Sequence, residues 1–312
     1  MKKRIILIIP LFFLFLIAVI FSEKNKSKDE IFEITFNNDI GYISIYNASS
    51  SNIKLIKNEI NDLLTKYEKL LDRYNAYDNI INLYTIKTNK DNISYLEIDE
   101  LLYKMLEKAK KLEQESDGFY SASNGNLYDL WKSYQNQSSV LPSTLELNLA
   151  KNSEADIILL GSNKIKNNHP NINLDSIADA YIVEELSTLI KKYKIESFTI
   201  HLGDVIKVGK KYSDNPYQIG IEDPLDKTKI VSVVSLENKS LISIGSNSKI
   251  NKYQDKSLYW FIPGNALKPL DTNSSFSLVG SDAIETKILA YKIYASGDKN
   301  INNYSDFQII KY

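Results

Sequence analysis

Apolar residues recur every three or four positions in the segments 53–71 and 98–114, which predicts an amphipathic helix in each, and helices are also predicted over 177–193 and 283–295. Short apolar runs rich in β-branched residues predict strands between and after these helices. The predicted strands are 32–36, 42–46, 155–160, 197–202, 230–236, 241–244, 258–262, 276–279 and 307–312. Long helices early and strand meanders later favour an α+β fold over a doubly wound sheet. No Pro- or Gly-rich linker divides residues 32–312, so one domain is expected there.

The N-terminus carries a different pattern. Lys2, Lys3 and Arg4 precede the almost wholly apolar, uncharged residues 5–21. This run is long for a signal-peptide core and short for a membrane span. Because no small-x-small cleavage pattern follows, we favour an uncleaved signal anchor over residues 1–22, with its positive end inside. A cleaved secretory signal is the alternative, and residues 23–31 are expected to form a polar stalk.

Charge and composition narrow the possible chemistry. The 312 residues include 38 basic and 39 acidic side chains, and without the three basic residues of the leader the net charge falls from −1 to −4. Nucleic acid is therefore not expected as a partner, because phosphate backbones attract basic surfaces. The absence of cysteine excludes disulfides, thiolate catalysis and zinc–sulfur sites. With two histidines, a metal site would need oxygen ligands and a hard cation.

Three segments combine residues that suit chemistry. Residues 116–125 mix glycine, aromatic and hydroxyl side chains after a helix, which suits a flat ring ligand but is equally typical of a helix stop and a loop. In 219–224, two carboxylates either contact a ligand or end a strand. Asp282 and Thr286 lie four residues apart at a helix start, so both point to one face. They can share a hard cation, or Asp282 can cap the helix.

Taken in order, these segments resemble five motifs of the FAD:protein FMN transferase (ApbE-like) family. S-D-G-F-Y at 116–120, continuing to Gly125 and Leu130-Trp131, is similar to T-D-G-x-F-D-P-T-x-G-P-L…L-W. Residues 173–181 are similar to D-L-G-G-I-A-K-G-Y, and L-G-D at 202–204 to G-G-D. I-G-I-E-D-P at 219–224 is similar to I-G-I-x-D-P, and D-A-I-E-T at 282–286 to D-A-x-x-T. The resemblance covers residues 32–300.

The resemblance implies a fold of mixed or antiparallel sheets with packed helices, and it implies a site. Magnesium would be held by the side chains of Asp282 and Thr286 and by the backbone carbonyl of Ser176. Residues at positions that contact FAD would be Ile40, Tyr74, Phe119, Tyr120, Ser121, Asn173, Asp179 and Phe261. Tyr74 would pack on the flavin, and residues 119–121 would line the ring pocket.

The implied reaction is the transfer of FMN from FAD to a Thr or Ser hydroxyl of an acceptor protein, with release of AMP. The implied partners are FAD, the acceptor protein and, through the leader, the cell membrane, with the domain outside the cytoplasm or secreted. The sequence also departs from the motifs. Ser121 replaces an acid, Asn173 replaces an aspartate, and 259–264 lacks the His, Asp and Thr of H-I-I-D-P-x-T-G. A degenerate flavin-binding or partner-binding protein of this fold is therefore the alternative, and a structural surface protein a third possibility.

Overall fold

The computed structural model describes residues 27–135, 141–212, 214–223, 226, 228–245, 249–253, 256–297 and 306–312. The predicted anchor at 1–22 lies outside these ranges. Within them, no helix combines the length and the apolar character that crossing a membrane requires. The first strand, β1 (Ser27–Phe36), begins inside the predicted stalk, so residues 27–31 belong to the sheet and the stalk prediction is wrong for them.

Most of the described helices lie in the first two thirds of the chain, and most of the described strands follow them. The helices are α1 (Ser50–Leu71), α2 (Leu83–Thr88), α3 (Glu100–Glu115), α4 (Gly125–Tyr134), α5 (Thr144–Asn152), α6 (Asp175–Lys192) and α7 (Ala283–Ser296). The strands after β1 are β2 (Asp39–Ser49), β3 (Tyr95–Glu97), β4 (Leu159–Gly161), β5 (Lys164–Lys166), β6 (Phe198–Leu202), β7 (Val205–Val208), β8 (Tyr217–Glu222), β9 (Ile230–Leu236), β10 (Ser240–Ile244), β11 (Ile250–Tyr253), β12 (Lys256–Tyr259), β13 (Leu270–Asp271), β14 (Phe276–Gly280) and β15 (Gln308–Lys311).

A seven-stranded sheet organises the domain, in the order β1-β2-β6-β7-β10-β14-β15 with antiparallel neighbours. The β1–β2 hairpin turns at Asn37 and Asn38, which have φ of 48° and 67°. Asparagine tolerates this left-handed region, which two-residue hairpin turns require. Helices α1, α6 and α7 pack on one face of the sheet.

Side-chain alternation along the central strands gives the sheet two apolar faces. On β10, Ile242 and Ile244 belong to the main core under the helices, whereas Leu241 belongs to a second cluster. On β14, Leu278 and Val279 divide in the same way. The β8–β9 hairpin supplies the other half of that second cluster, so it covers the face that the helices leave open.

A third apolar cluster joins α4 to the small β11–β12–β13 sheet. Its buried members are Leu127, Tyr128, Trp131, Tyr253, Leu258 and Ile262. The Trp131 indole N–H donates to the carbonyl of Leu267 at 2.9 Å, which satisfies the one polar atom of that side chain. This cluster fixes the segment after β12 against α4.

Most predicted elements are confirmed, including the four helices and the N-terminal hairpin. The prediction of a buried strand at 155–160 is wrong: only Leu159–Gly161 forms a strand, at the edge of a small sheet, and Leu160 is 52% exposed. Helices α4 and α5 were not predicted. The apolar residues of α4 do recur at helical spacing, at Leu127, Tyr128, Trp131 and Tyr134, whereas α5 has no buried residue to mark it.

Helix α4 receives its N-terminal cap from a distant residue. Asn124 makes no side-chain cap, and Glu154 Oε1 instead accepts the backbone N–H groups of Asn126 and Leu127, at 3.0 and 3.3 Å. Negative charge is favoured at a helix N-terminus, yet burial outweighs these bonds and raises the pKa of Glu154 to about 7. The charged carboxylate therefore opposes folding at neutral pH.

Replacing Glu154 by glutamine should remove a pH-dependent loss of stability. The ordinary pKa is 4.5, so on raising the pH the unfolded chain loses the proton first. The stability that protonated Glu154 contributes is complete below about pH 4.5 and disappears as the pH reaches about 7, a difference of at most about 3 kcal/mol. We expect the unfolding free energy of Glu154→Gln, measured by urea denaturation, to fall less over this range than that of the wild type. Glu237→Gln, at an exposed position between β9 and β10, is the control; parallel profiles for wild type and Glu154→Gln would contradict the assignment.

Candidate functional site

A cleft lies between the end of α1, the start of α6, the middle of α7 and the region around β12. It consists of two adjoining cavities of about 530 and 280 Å³. Residues that line both are Arg73, Tyr74, Tyr128, Asp175, Lys249 and Trp260. The combined size and the mixture of aromatic and charged walls suit a small-molecule ligand that has a planar part and a charged part.

Two buried donors at this cleft have no acceptor. Arg73 Nη2 donates to the Gly125 carbonyl, Asp129 Oδ1 and Asn171 Oδ1 at 3.0–3.2 Å, but Arg73 Nε has no partner. Asn173 Oδ1 accepts from the backbone N–H of Asp175, while Asn173 Nδ2 has no partner. Since both residues line the smaller cavity and buried donors are normally satisfied, a ligand with acceptor oxygens fits here.

The loop after α1 presents an aromatic ring to the cleft. Asp72 accepts the backbone N–H groups of Tyr74 and Asn75 and the hydroxyl of Tyr77, which folds the loop tightly. Tyr74 remains 52% exposed. The Lys132 ammonium lies 4.3 Å from its ring centroid and donates to its hydroxyl at 3.0 Å. Trp260 also lines both cavities, so the cleft has two aromatic side chains for a planar group.

At the edge of the larger cavity, one ammonium lies between two carboxylates. Lys287 Nζ donates to both oxygens of Asp179, at 2.6 and 2.5 Å, and to Asp204 Oδ1 at 2.6 Å. The three side chains are 1%, 8% and 6% exposed. They come from α7, α6 and the β6–β7 turn. That turn passes close to α6 at Gly203, where φ is +59° and an added Cβ would lie 3.1 Å from Asp179 Oδ2.

The ionisable groups of Lys287, Asp179 and Asp204 shift one another's pKa. Burial and the nearby Asp204 carboxylate raise the pKa of Asp179, although Lys287 acts in the opposite sense. Burial also acts to raise the pKa of Asp204, but attraction to Lys287 and Lys249 outweighs it and the pKa lies below the ordinary value. For Lys287, burial acts to lower the pKa, and the two carboxylates more than compensate, so it stays protonated.

The three predicted magnesium ligands are engaged elsewhere. Asp282 caps α7, its Oδ1 accepting the N–H groups of Ile284 and Glu285 at 2.9 Å each, which confirms the capping alternative. The Thr286 hydroxyl donates to the Asp282 carbonyl and is completely buried. A Cβ on Gly280 would lie 2.2 Å from Thr286 Oγ1, so this hydroxyl packs against β14.

Ser176 lies at the other end of the α6–α7 pair. Its carbonyl accepts from the Tyr291 hydroxyl at 3.3 Å, whereas Glu184, eight residues later, accepts from the N–H of Ala283 at the start of α7. Eight helical residues span roughly 12 Å. The cleft wall includes Ser176 but, among described residues, neither Asp282 nor Thr286. The oxygens of Asp282 and Thr286 serve the start of α7 and the Ser176 carbonyl serves Tyr291, and the assignment of these three residues to magnesium stays a prediction. Among the described residues, no group of three or more acidic or histidine side chains is arranged to hold a metal ion.

The predicted flavin contacts divide into two groups. Tyr74, Asn173 and Asp179 line the cleft. The others are absent from the described lining: Ile40, Phe119, Tyr120, Ser121 and Phe261. Ile40 is 60% exposed on the hairpin, and Tyr120 is completely buried. Residues 116–121 form a helix stop and turn, with the Ser116 hydroxyl accepting the N–H of Tyr120 at 3.0 Å.

Phe119 and Phe261, two of the predicted flavin contacts that do not line the cleft, belong to an aromatic stack. Phe261 lies parallel to Tyr291, with centroids 4.2 Å apart and planes at 14°, and Phe119 packs on Phe261 at 5.4 Å. Gly264 N–H donates to the Phe119 carbonyl at 2.7 Å, which joins the altered 259–264 segment to this stack. Phe119 and Phe261, two of the rings that the resemblance assigned to the flavin, are therefore packed on one another.

Sequence reasoning did not single out Arg73, Trp260, Asp204 or Lys287 as site residues. The sequence did contain a signal for Lys287. This lysine directly follows Thr286 of the D-A-x-x-T motif, and Asp179 occupies the position where the family motif D-L-G-G-I-A-K-G-Y has its lysine. An acid in place of a base at one position is a reason to look for a compensating base at another. Nothing in the sequence shows that α7 supplies it.

Comparison with known proteins gives the family. Residues 31–308 match the model of the ApbE family. The FAD:protein FMN transferase of Buchnera aphidicola subsp. Schizaphis graminum is 26% identical over 293 residues, covering 89% of this chain and 83% of that protein.

Solved structures show the same fold. The ApbE protein of Thermotoga maritima has a TM-score of 0.74 at 16% identity, covering 88% of this chain and 89% of that one. The apo flavinyl transferase ApbE of Pseudomonas stutzeri has a TM-score of 0.72 at 15% identity, covering 88% and 86%. The match to the family model extends over nearly all of the described domain, and this chain therefore belongs to the ApbE family.

Proposed function

We propose that this protein binds FAD in the cleft and transfers its FMN part to a Thr or Ser hydroxyl of an acceptor protein. The hydroxyl oxygen forms a bond to the FMN-side phosphorus, the bond from that phosphorus to the bridging oxygen breaks, and AMP leaves with the bridging oxygen. The hydroxyl proton passes to solvent. The observation that carries the proposal is the pair of unsatisfied donors, Arg73 Nε and Asn173 Nδ2, beside the exposed ring of Tyr74.

Different residues of the cleft suit different parts of FAD. Tyr74 and Trp260 offer faces to a planar ring, since aromatic groups stack favourably at such walls. Arg73 and Lys249 line both cavities and suit the diphosphate, because a guanidinium or ammonium offsets the charge that develops on transferring phosphoryl groups. Arg73 is fixed by its bonds to Asp129 and Asn171 before any ligand arrives.

Binding of flavin without transfer is the second candidate. It is favoured by the packing of Asp282 and Thr286, whose oxygens serve the start of α7 and lie away from the cleft wall. Phosphoryl transfer depends mainly on positioning and charge, and the cleft offers these through other residues. Release of AMP separates the two candidates.

The transfer assay uses the full-length chain, FAD and two synthetic peptide pools in magnesium-containing buffer. Each peptide of the first pool carries a single Thr or Ser, and the matched pool has Val or Ala at that position. We expect AMP to appear with the hydroxyl pool and the peptides to gain the mass of FMN less one water. FAD binding without AMP or modified peptide would favour the second candidate. Equal AMP release from both pools would show hydrolysis in place of transfer.

Tyr74→Ala should weaken FAD binding by about tenfold, because stacking of a planar base on an aromatic side chain contributes on the order of 1–3 kcal/mol. The measurement is a titration of FAD fluorescence with protein. Tyr212→Ala is the matched control, since Tyr212 is a 78% exposed tyrosine that does not line either cavity of the cleft. Equal losses in both variants would remove Tyr74 from the site.

We also propose that residues 5–21 anchor the chain in the cell membrane, with the domain outside the cytoplasm. Support comes from the apolar run and from Lys2, Lys3 and Arg4 before it, since basic residues favour the cytoplasmic side. We expect the full-length protein in the membrane fraction, released by detergent but not by high salt. Protein found free in the medium, beginning after residue 21, would establish a cleaved secretory signal.

A further inference from the structure

Lys287 places a cation between two carboxylates at the wall of this cleft. An ammonium has three N–H donors and no acceptor. All three are used on the carboxylates of Asp179 and Asp204. Paired carboxylates are the usual protein ligands of a hard cation, and here the cation at their centre belongs to the chain itself. Asp179 and Lys287 both line the larger cavity.

The carboxylate oxygen of Asp204 that Lys287 does not contact also shows that cationic charge is needed at this wall. Asp204 Oδ2 is buried and has no hydrogen-bond partner, so Lys287 does not saturate the two acids. Without the ammonium, four carboxylate oxygens would be left beside the cavity, and of the cations that act on both acids only Lys249, which bonds to neither, would remain. Such a set either attracts a free cation or repels an anionic ligand.

We propose that Lys287 is the resident cation of the FAD pocket and makes FAD binding independent of a divalent ion. By offsetting part of the negative charge of Asp179 and Asp204, it lets an anionic diphosphate approach that wall. Lys287 is a positioning residue, because its three donors are spent on the carboxylates and do not reach the ligand. The part that concerns FAD rests on the proposed function, whereas the part that concerns the cation site does not.

The first test measures metal binding without FAD. Manganese(II) is titrated into the full-length wild type and into Lys287→Ala, and free manganese is followed by electron paramagnetic resonance. We expect no tight site in the wild type and one new site in Lys287→Ala. Lys287→Arg keeps a cation and should bind none. Lys207→Ala is the matched control, because Lys207 is also buried but contacts the single carboxylate of Glu184.

The second test measures FAD binding in EDTA and in excess magnesium. For the wild type we expect the two dissociation constants to agree within about twofold. For Lys287→Ala we expect a loss of about tenfold or more in EDTA, because unpaired buried carboxylates repel the diphosphate, and recovery when manganese is added. Circular dichroism spectra show whether each variant is folded; if Lys287→Ala is not, the wild-type comparison still decides.

The outcomes separate the two proposals. The role of Lys287 would be overturned if the wild type bound FAD only with magnesium. It would also be overturned if the wild type had a tight manganese site and Lys287→Ala gained no further one. A wild type that binds no FAD in either buffer would overturn the proposed function. In that case a manganese site created by Lys287→Ala would still support the cation assignment, and a folded variant without one would overturn it.

Discussion

The ion cluster of Lys287, Asp179 and Asp204 joins the three parts of the molecule that form one wall of the cleft. Lys287 belongs to α7, Asp179 to α6 and Asp204 to the turn between two central strands. Charges removed from water are unfavourable unless they are paired and hydrogen-bonded, and loss of one partner from a buried pair typically costs about 3–5 kcal/mol. The hydrogen bonds among these three side chains therefore fix how α6, α7 and the β6–β7 turn lie relative to one another.

The sheet makes this cluster possible. Alternation on its strands directs one set of apolar residues toward α6 and α7 and another toward the β8–β9 hairpin. Lys207, on β7, points to the helix side and pairs with Glu184 of α6 and the carbonyl of Ser281. A second buried lysine thus fixes the far end of the same helix pair. The apolar core positions the helices, and the two lysines fix how they lie against the strands.

The sequence predicted the helices and central strands well because their apolar residues face one continuous core. It failed at 155–160 and over α5, where little apolar surface is buried in a regular period, and it missed α4 although Leu127, Tyr128 and Trp131 recur at helical spacing. The family motifs placed eight residues at FAD, and three of these, Tyr74, Asn173 and Asp179, line the cleft. They did not predict the side-chain arrangement, because Thr286 packing against β14 and the bond from α7 to Asp179 depend on residues far apart in sequence. Asp282 illustrates the ambiguity, since one carboxylate pattern serves both capping and metal binding.

The stack of Phe119, Phe261 and Tyr291 has a consequence for how a ligand sits. Phe261 packs against both neighbouring rings, so these aromatic side chains are already engaged within the protein. A planar group is left with the Tyr74 side of the cleft, where the loop after α1 borders open solvent. A ring held there keeps contact with bulk water along one edge. Under the proposed function, such shallow seating would allow rapid exchange of the nucleotide and would leave its phosphorus accessible to a side chain approaching from another protein.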